Sequence, residues 1–213
     1  MESAILMAAG LGTRMRPLTD NTPKPLIKAA GKPLIETVID GLWQHGVREI
    51  YVVTGYLAEQ FDYLAEKYPG LTLVNNEEYT VKNNISSIHA VCQYMGKTDC
   101  FICEADLYVS DPAIFDIPHD KSCYYGKYVA GHSDDWVFDM DGERIVRVGK
   151  GGDDTYNMVG ISYFKADDAA YIADAILKAY KEPGHETLFW DEIVDRCLPG
   201  MYSVLWDFIL SIR

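Results

Sequence analysis

Three times within the first hundred residues, a short apolar run is followed by a segment whose apolar residues recur at helical spacing. Residues 4–8 precede 34–45, where Leu34, Val38, Ile39 and Leu42 share a face. Residues 49–54 precede 57–68, with Leu57, Phe61 and Leu64 on one side; residues 71–74 precede 85–94; residues 100–103 read as a fourth strand. Runs of this length with these periods are strands and helices in alternation. Such a chain folds as an α/β protein: a Rossmann-like mixed, mainly parallel sheet flanked by helices, with ligands at the carboxyl ends of strands. After Asp106 the pattern changes. Residues 123–130, 136–140 and 145–148 are strand-like with no helix between them, and Asp141-Gly142 is a hairpin turn, so an antiparallel extension is expected. Residues 157–164 read as one more strand, and 169–180 and 187–198 as helices.

The first strand runs into AAGLGTRMRP. A dinucleotide fingerprint would place a third glycine at Met15, and a P-loop would place Gly-Lys-Ser/Thr at 15–17; neither is present. Gly10 and Gly12 still let backbone N–H groups approach phosphate oxygens closely, Thr13 offers a hydroxyl, and Arg14 and Arg16 bring positive charge. In Thr22-Pro23-Lys24-Pro25 the flanking prolines restrict the backbone around a lysine, which holds a cation in one direction. Taken alone, the two glycines favour an ordinary strand-to-helix turn, and the proline-framed lysine shifts that balance. The net charge of −13 excludes the basic surface that nucleic-acid polymers and anionic membranes require. Against that background Arg14, Arg16, Lys24, Lys28 and Lys32 form a cationic island with one acid, Asp20, which suits a small anionic ligand.

The combination LMAAGLGTRMRPLTDNTPKPLI resembles the nucleotidyltransferases that join a nucleoside triphosphate to a phosphorylated small molecule and release pyrophosphate. Their signature is an AAGxGxR turn followed some ten residues later by Pro-Lys. Within that family the sequence looks most like the CTP:phosphocholine cytidylyltransferases of bacterial choline incorporation, through GYLAEQFDYLAEKY, Tyr79 with Asn83, Asn84 and Ser87, Glu104-Ala105-Asp106, and LFWDEIV at 188–194. The resemblance implies a single nucleotidyltransferase domain over 1–213, with a nucleotide-binding half at 1–106, an acceptor-binding half at 107–198 and an atypical tail at 199–213. It implies CTP and phosphocholine as substrates. Ala8, Ala9, Gly10, Gly12, Thr13, Arg14, Lys24, Asn84 and Ser87 would contact the nucleotide, and Asp106 and Asp191 would hold Mg²⁺. Lys24 and Arg14 would stabilise charge on the α-phosphate and the departing pyrophosphate.

A quaternary ammonium has no N–H donors, so aromatic faces must recognise it; Trp136, Phe189 and Trp190 are the candidates, though each is equally a core or rim residue. Trp136 lies in the turn-like stretch GHSDDWVF. Helical spacing over 187–198 leaves Asp191 and Asp195 on the polar side, with Asp195 on the surface. GKGGDD at 149–154 reads as a mobile loop. The five histidines carry no metal-binding spacing, and the five cysteines form no CxxC pair, so reduced and buried thiols are expected. The N-terminus has no basic region followed by an apolar core, and no apolar run is long enough to span a membrane, which points to a cytoplasmic protein. The oligomeric state is not legible. Alternative readings are a cytidylyltransferase for 2-aminoethylphosphonate or phosphoethanolamine, a sugar-1-phosphate nucleotidyltransferase, and a nucleotide-binding module without catalysis.

Overall fold

The computed structural model describes residues 2–207. The chain runs β1 (Glu2–Met7), β2 (Lys28–Ala29), β3 (Lys32–Pro33), α1 (Leu34–His45), β4 (Glu49–Thr54), α2 (Asp62–Lys67), β5 (Leu71–Asn75), α3 (Ile85–Val91), β6 (Asp99–Glu104), β7 (Ser122–Asp141), β8 (Arg144–Phe164), α4 (Ala166–Ala179), α5 (Trp190–Cys197) and β9 (Ser203–Asp207). The main sheet has the order β5-β4-β1-β6-β8-β7-β9, and β2-β3 is a separate small hairpin. Strands β5, β4, β1 and β6 are parallel; β8 joins β6 antiparallel, β7 pairs antiparallel with β8, and β9 pairs parallel with β7. This is the mixed, mainly parallel sheet with an antiparallel extension that the alternation predicts. No helix among the described residues is long and apolar enough to cross a membrane.

Alternation along β1 explains the layering. Ala4 and Leu6 point to a cluster with Ile35, Val38, Ile39, Phe61 and Leu64, whereas Ile5 points to one with Ile85, Ile88, Ile172, Ile176 and Ile193. The sheet is therefore covered on both faces, which is why its central strands are apolar throughout. All five cysteines lie buried in these layers.

Several boundaries shift, each for a visible reason. The helical pattern of 57–68 breaks because Leu57 has φ +50°, so a 3₁₀ turn at Ala58–Phe61 comes before α2. The last helix starts at Trp190, because Phe189 is extended. GHSDDWVF and GKGGDD are neither turn nor loop: they face each other as strand, with His132 opposite Asp153 and Trp136 opposite Lys150, through several register shifts. Backbone pairing across a long, bulged hairpin overrides the turn composition of both stretches. The tail is also partly strand, since Ser203–Asp207 adds β9 to the edge of β7. Residues 208–213 of that tail lie outside the described residues.

Strand β1 lies between β4 and β6, and Met7 is in register with Val53 on one side and Glu104 on the other. Chain connections leave in opposite directions here, opening a crevice at the carboxyl end. Gly12, in the turn that follows, has φ +62°, and a Cβ there would stand 2.9 Å from Thr19 Cγ2 and 3.3 Å from Lys24 Cβ. Gly12→Ala is expected to lower stability by about 1–2 kcal/mol from the left-handed backbone alone; a reduced urea midpoint checks this.

Candidate active site

The turn after β1 is built onto the sheet by backbone hydrogen bonds. The Ala8 N–H donates to the Val53 carbonyl at 2.8 Å, and the Tyr56 N–H donates to the Ala9 carbonyl at 3.2 Å. Ala8 and Ala9 are thereby buried, while Gly10 is exposed and a side chain there would meet nothing within 4 Å. The buried Thr19 hydroxyl donates to the Gly12 carbonyl at 2.8 Å, folding the loop back on itself. The result is one wall of a cleft of about 490 Å³.

This cleft brings together Ala8, Ala9, Gly10, Gly12, Thr13, Arg14, Lys24, Asn84, Ser87 and Asp106. Pro23 and Pro25 are buried on either side of Lys24, and the Lys24 ammonium forms an ion pair with the Asp106 carboxylate. Of the cationic island, Arg14 and Lys24 line the cleft. Arg16 instead pairs with Asp20 at 3.4 Å, and Lys32 pairs with Asp40.

The cleft also takes in polar residues to which the sequence assigns no role at the site, among them Asn76 and Lys82, together with Tyr79 and Glu104 of the quoted motifs. Asn76, buried just past β5, donates its amide to the Ser86 and Ser87 hydroxyls at 2.9 and 3.2 Å, which fixes the first turn of α3. Tyr79 fills the space that Gly55 leaves open, its ring 2.8 Å from where a Cβ would stand. Lys82 pairs with Glu78 and lies 4.1 Å from the centre of the Tyr180 ring. Glu104 ends β6 on the cleft floor. The strand-end rule that singles out Asp106 applies equally to Asn76 and Glu104.

The acids are coupled. Burial raises the pKa of Glu104, and the Asp106 charge raises it further, while Lys24 and Arg14 oppose the rise. Glu104 touches cleft solvent yet has protein walls around it, as a group at the bottom of a crevice does. Asp191 is not on a polar helix face: only 4% of it is exposed. Helix α5 packs that side against the sheet, where the Tyr124 hydroxyl donates to Asp191 Oδ1 at 3.3 Å. Desolvation, followed by the Glu104 charge, lifts the Asp191 pKa to about 8. Asp191 does not line the main cleft; it shares with Glu104 a void of about 10 Å³ behind it. Asp195 is likewise not a free surface group, because its carboxylate accepts the Val148 N–H of β8 at 2.8 Å.

The three aromatic candidates separate. Trp136 and Phe189 meet edge to face with centroids 5.3 Å apart in a second hollow, and the Lys150 ammonium lies 5.6 and 4.4 Å from their ring centres. Trp190 is 3% exposed and packs on Tyr124 and Phe164 in the core. Lys150, unremarked in the sequence, is brought over the rings by the strand pairing that opposes it to Trp136. The hollow and the cleft are tied together by short bonds. The Asn83 N–H donates to the Glu186 carbonyl at 2.8 Å, the Asn83 amide donates to the Thr187 carbonyl at 3.1 Å, and the Trp190 N–H donates to the Asn84 side-chain carbonyl at 3.0 Å.

Residues 4–121 match the MobA-like NTP transferase domain. The chain is 58% identical over 194 residues to a 2-aminoethylphosphonate cytidylyltransferase of Lancefieldella rimae, covering 91% of this chain and 79% of that protein. It is 37% identical over 195 residues to a choline-phosphate cytidylyltransferase of Streptococcus pneumoniae, covering 90% and 82%. Among solved structures, the CTP:phosphocholine cytidylyltransferase of Streptococcus pneumoniae superposes with a TM-score of 0.89 at 33% identity, over 97% of this chain and 90% of that one.

The buried Asp191 makes stability depend on pH. Its folded pKa, about 8, lies above its ordinary value of 3.8, so between these values the folded state binds a proton that the unfolded state does not. The contribution is complete below about pH 4 and is lost as pH rises through about 8. Without added metal, the urea midpoint should fall over that window, and Asp191→Asn should flatten the fall.

Proposed function

The chain belongs to the MobA-like NTP transferases and, within them, to the cytidylyltransferases, and from that membership we propose that it transfers CMP from CTP to 2-aminoethylphosphonate. Nucleotide and phosphates occupy the cleft along Ala8 to Arg14. A phosphonate oxygen of the acceptor attacks the α-phosphorus, a new P–O bond forms, and the bond to the β-phosphate oxygen breaks, so that pyrophosphate leaves with the electron pair. The attacking oxygen carries negative charge before the reaction begins, so no general base is needed, and the site's task is positioning and charge neutralisation. Lys24, set by its prolines, and Arg14 supply fixed positive charge at the α-phosphate and the leaving group. Asp106 lines the cleft with Glu104, and Asp191 shares the void behind Glu104; these carboxylates are the hard oxygen donors that Mg²⁺ takes, and an ion held by them would neutralise phosphate charge. Asp106 raises the pKa of Glu104 and Glu104 raises that of Asp191, so each of these two groups feels a neighbouring negative charge that a cation would offset.

The observation that carries the acceptor is Lys150. A trimethylammonium group depends on ring faces, and here the faces of Trp136 and Phe189 already hold the chain's own ammonium. A second cation in that hollow would meet like charge. A primary ammonium, by contrast, can be held by carboxylate and carbonyl oxygens. The similarity to the 2-aminoethylphosphonate enzyme points the same way. Phosphocholine is the second reading, favoured by the fact that the Trp136–Phe189 pair accommodates a cation at all.

Pyrophosphate release with Mg²⁺ and CTP, offering 2-aminoethylphosphonate, phosphocholine and phosphoethanolamine in parallel and UTP as control, should be fastest with 2-aminoethylphosphonate. Faster release with phosphocholine would replace the acceptor and keep the reaction. Lys24→Ala and Asp106→Ala should each lower kcat by about a hundredfold or more, the scale of one strong transition-state contact; near-unchanged turnover would remove that residue from the mechanism. Lys150→Ala should raise the kcat/KM ratio of phosphocholine to 2-aminoethylphosphonate roughly tenfold, the scale of one desolvated cation–π contact.

A further inference from the structure

Glu2, His45 and His119 converge at the end of the sheet away from the cleft. Glu2 opens β1, His45 ends α1, and His119 precedes β7. One ligand atom from each lies within 4.8 Å of the others, and all three residues are half-buried. From Glu2 to Met7 the strand rises roughly 17 Å, so this cluster is remote from the phosphate-binding turn.

The outer contacts are those of an oriented ligand set. His45 Nδ1 meets Asp116 Oδ1 at 3.0 Å, His119 Nε2 meets the Tyr125 hydroxyl at 2.8 Å, and the Tyr163 hydroxyl donates to Glu2 Oε1 at 2.7 Å. The Tyr125 hydroxyl donates to the Ile114 carbonyl at 3.2 Å, so its oxygen accepts the His119 Nε2–H and the ring's lone pair is left on Nδ1. With His45 Nδ1–H given to Asp116, the neutral ring turns the bare Nε2 towards Glu2 Oε2 at 3.1 Å. Two lone pairs then face each other, an arrangement that only a proton or a cation between them satisfies. Bonds of about 2.0–2.2 Å in a tetrahedral zinc site set ligand atoms roughly 3.4 Å apart, close to that separation. A carboxylate or hydroxyl partner on the far side of each ligand is how such sites fix tautomer and direction.

We propose that Glu2, His45 and His119 form a second metal site, separate from the cleft, that takes a first-row divalent ion such as Zn²⁺. Two imidazoles and one carboxylate suit a borderline ion rather than Mg²⁺. The ion would join the start of β1, the end of α1 and the segment before β7, and so would clamp the closed end of the sheet.

The test is titration of tag-free, chelator-treated protein with Co²⁺, read by its visible ligand-field bands, and with Zn²⁺ by calorimetry, in excess Mg²⁺. Wild-type protein should bind one ion that Mg²⁺ does not displace, with bands of a low-coordinate nitrogen and oxygen site. His119→Gln should abolish the bands, Tyr125→Phe should weaken binding roughly tenfold, and Asp106→Ala should leave it unchanged. Circular dichroism of each variant without metal separates lost binding from lost folding; if His119→Gln does not fold, Glu2→Gln takes its place. Absence of Co²⁺ bands in folded wild-type protein, or their loss in Asp106→Ala with retention in His119→Gln, would overturn the site. In either case Glu2 and His45 would share a proton rather than an ion.

Discussion

Strand β1 must be paired on both edges and buried on both faces, and most of the molecule follows from that. Because β4 and β6 flank it, the two connections diverge at Met7 and leave a crevice that no side chain of the sheet fills. Because Ala4, Ile5 and Leu6 are all enclosed, the strand cannot shift register to close that crevice without moving apolar side chains to the opposite layer. The glycine turn therefore leaves from a fixed point, and Lys24 and Asp106 meet across a gap whose width the sheet sets.

Acidity in the site has the same origin. Burial raises the carboxyl pKa of both Glu104 and Asp191; the Asp106 charge adds to the rise at Glu104, and the Glu104 charge adds to it at Asp191. Solvent cannot relieve that repulsion at Asp191, and the Tyr124 hydroxyl offsets only part of it. Protons relieve it in the free protein. At Glu104, Lys24 and Arg14 are the cations that oppose the rise.

Much of this was legible in the sequence where a signal is local. Helix α1 has the bounds that its apolar spacing gives, and the parallel half of the sheet follows from strand and helix alternation. The residues of the AAGLGTRMRP turn, Lys24, Asn84 and Ser87 line one cleft because strand ends, a proline-framed lysine and a helix start are short-range features. What stayed hidden depends on distant pairing. GKGGDD has the composition of a loop but is strand, since Ser133 and Trp136 pair across it. Asp191 sits on the polar arc of its helix, yet that arc faces Tyr124 and the sheet, and a helical wheel does not say what lies opposite. Lys150 and the two rings meet only through a hairpin register. His45 and His119, far apart in the chain, are brought together with Glu2 by the sheet rather than by any motif.

The bonds from Asn83 and Asn84 to the segment 186–190 have a mechanical meaning. Asn84 stands in the cleft wall, and its side-chain carbonyl receives the first helical N–H of α5, the helix that also carries Asp191. Any displacement of that asparagine takes a partner from the start of α5, and any tilt of α5 pulls on the cleft wall. The cleft wall and the start of α5 are therefore joined through a single side chain, so neither can shift without breaking a hydrogen bond of the other.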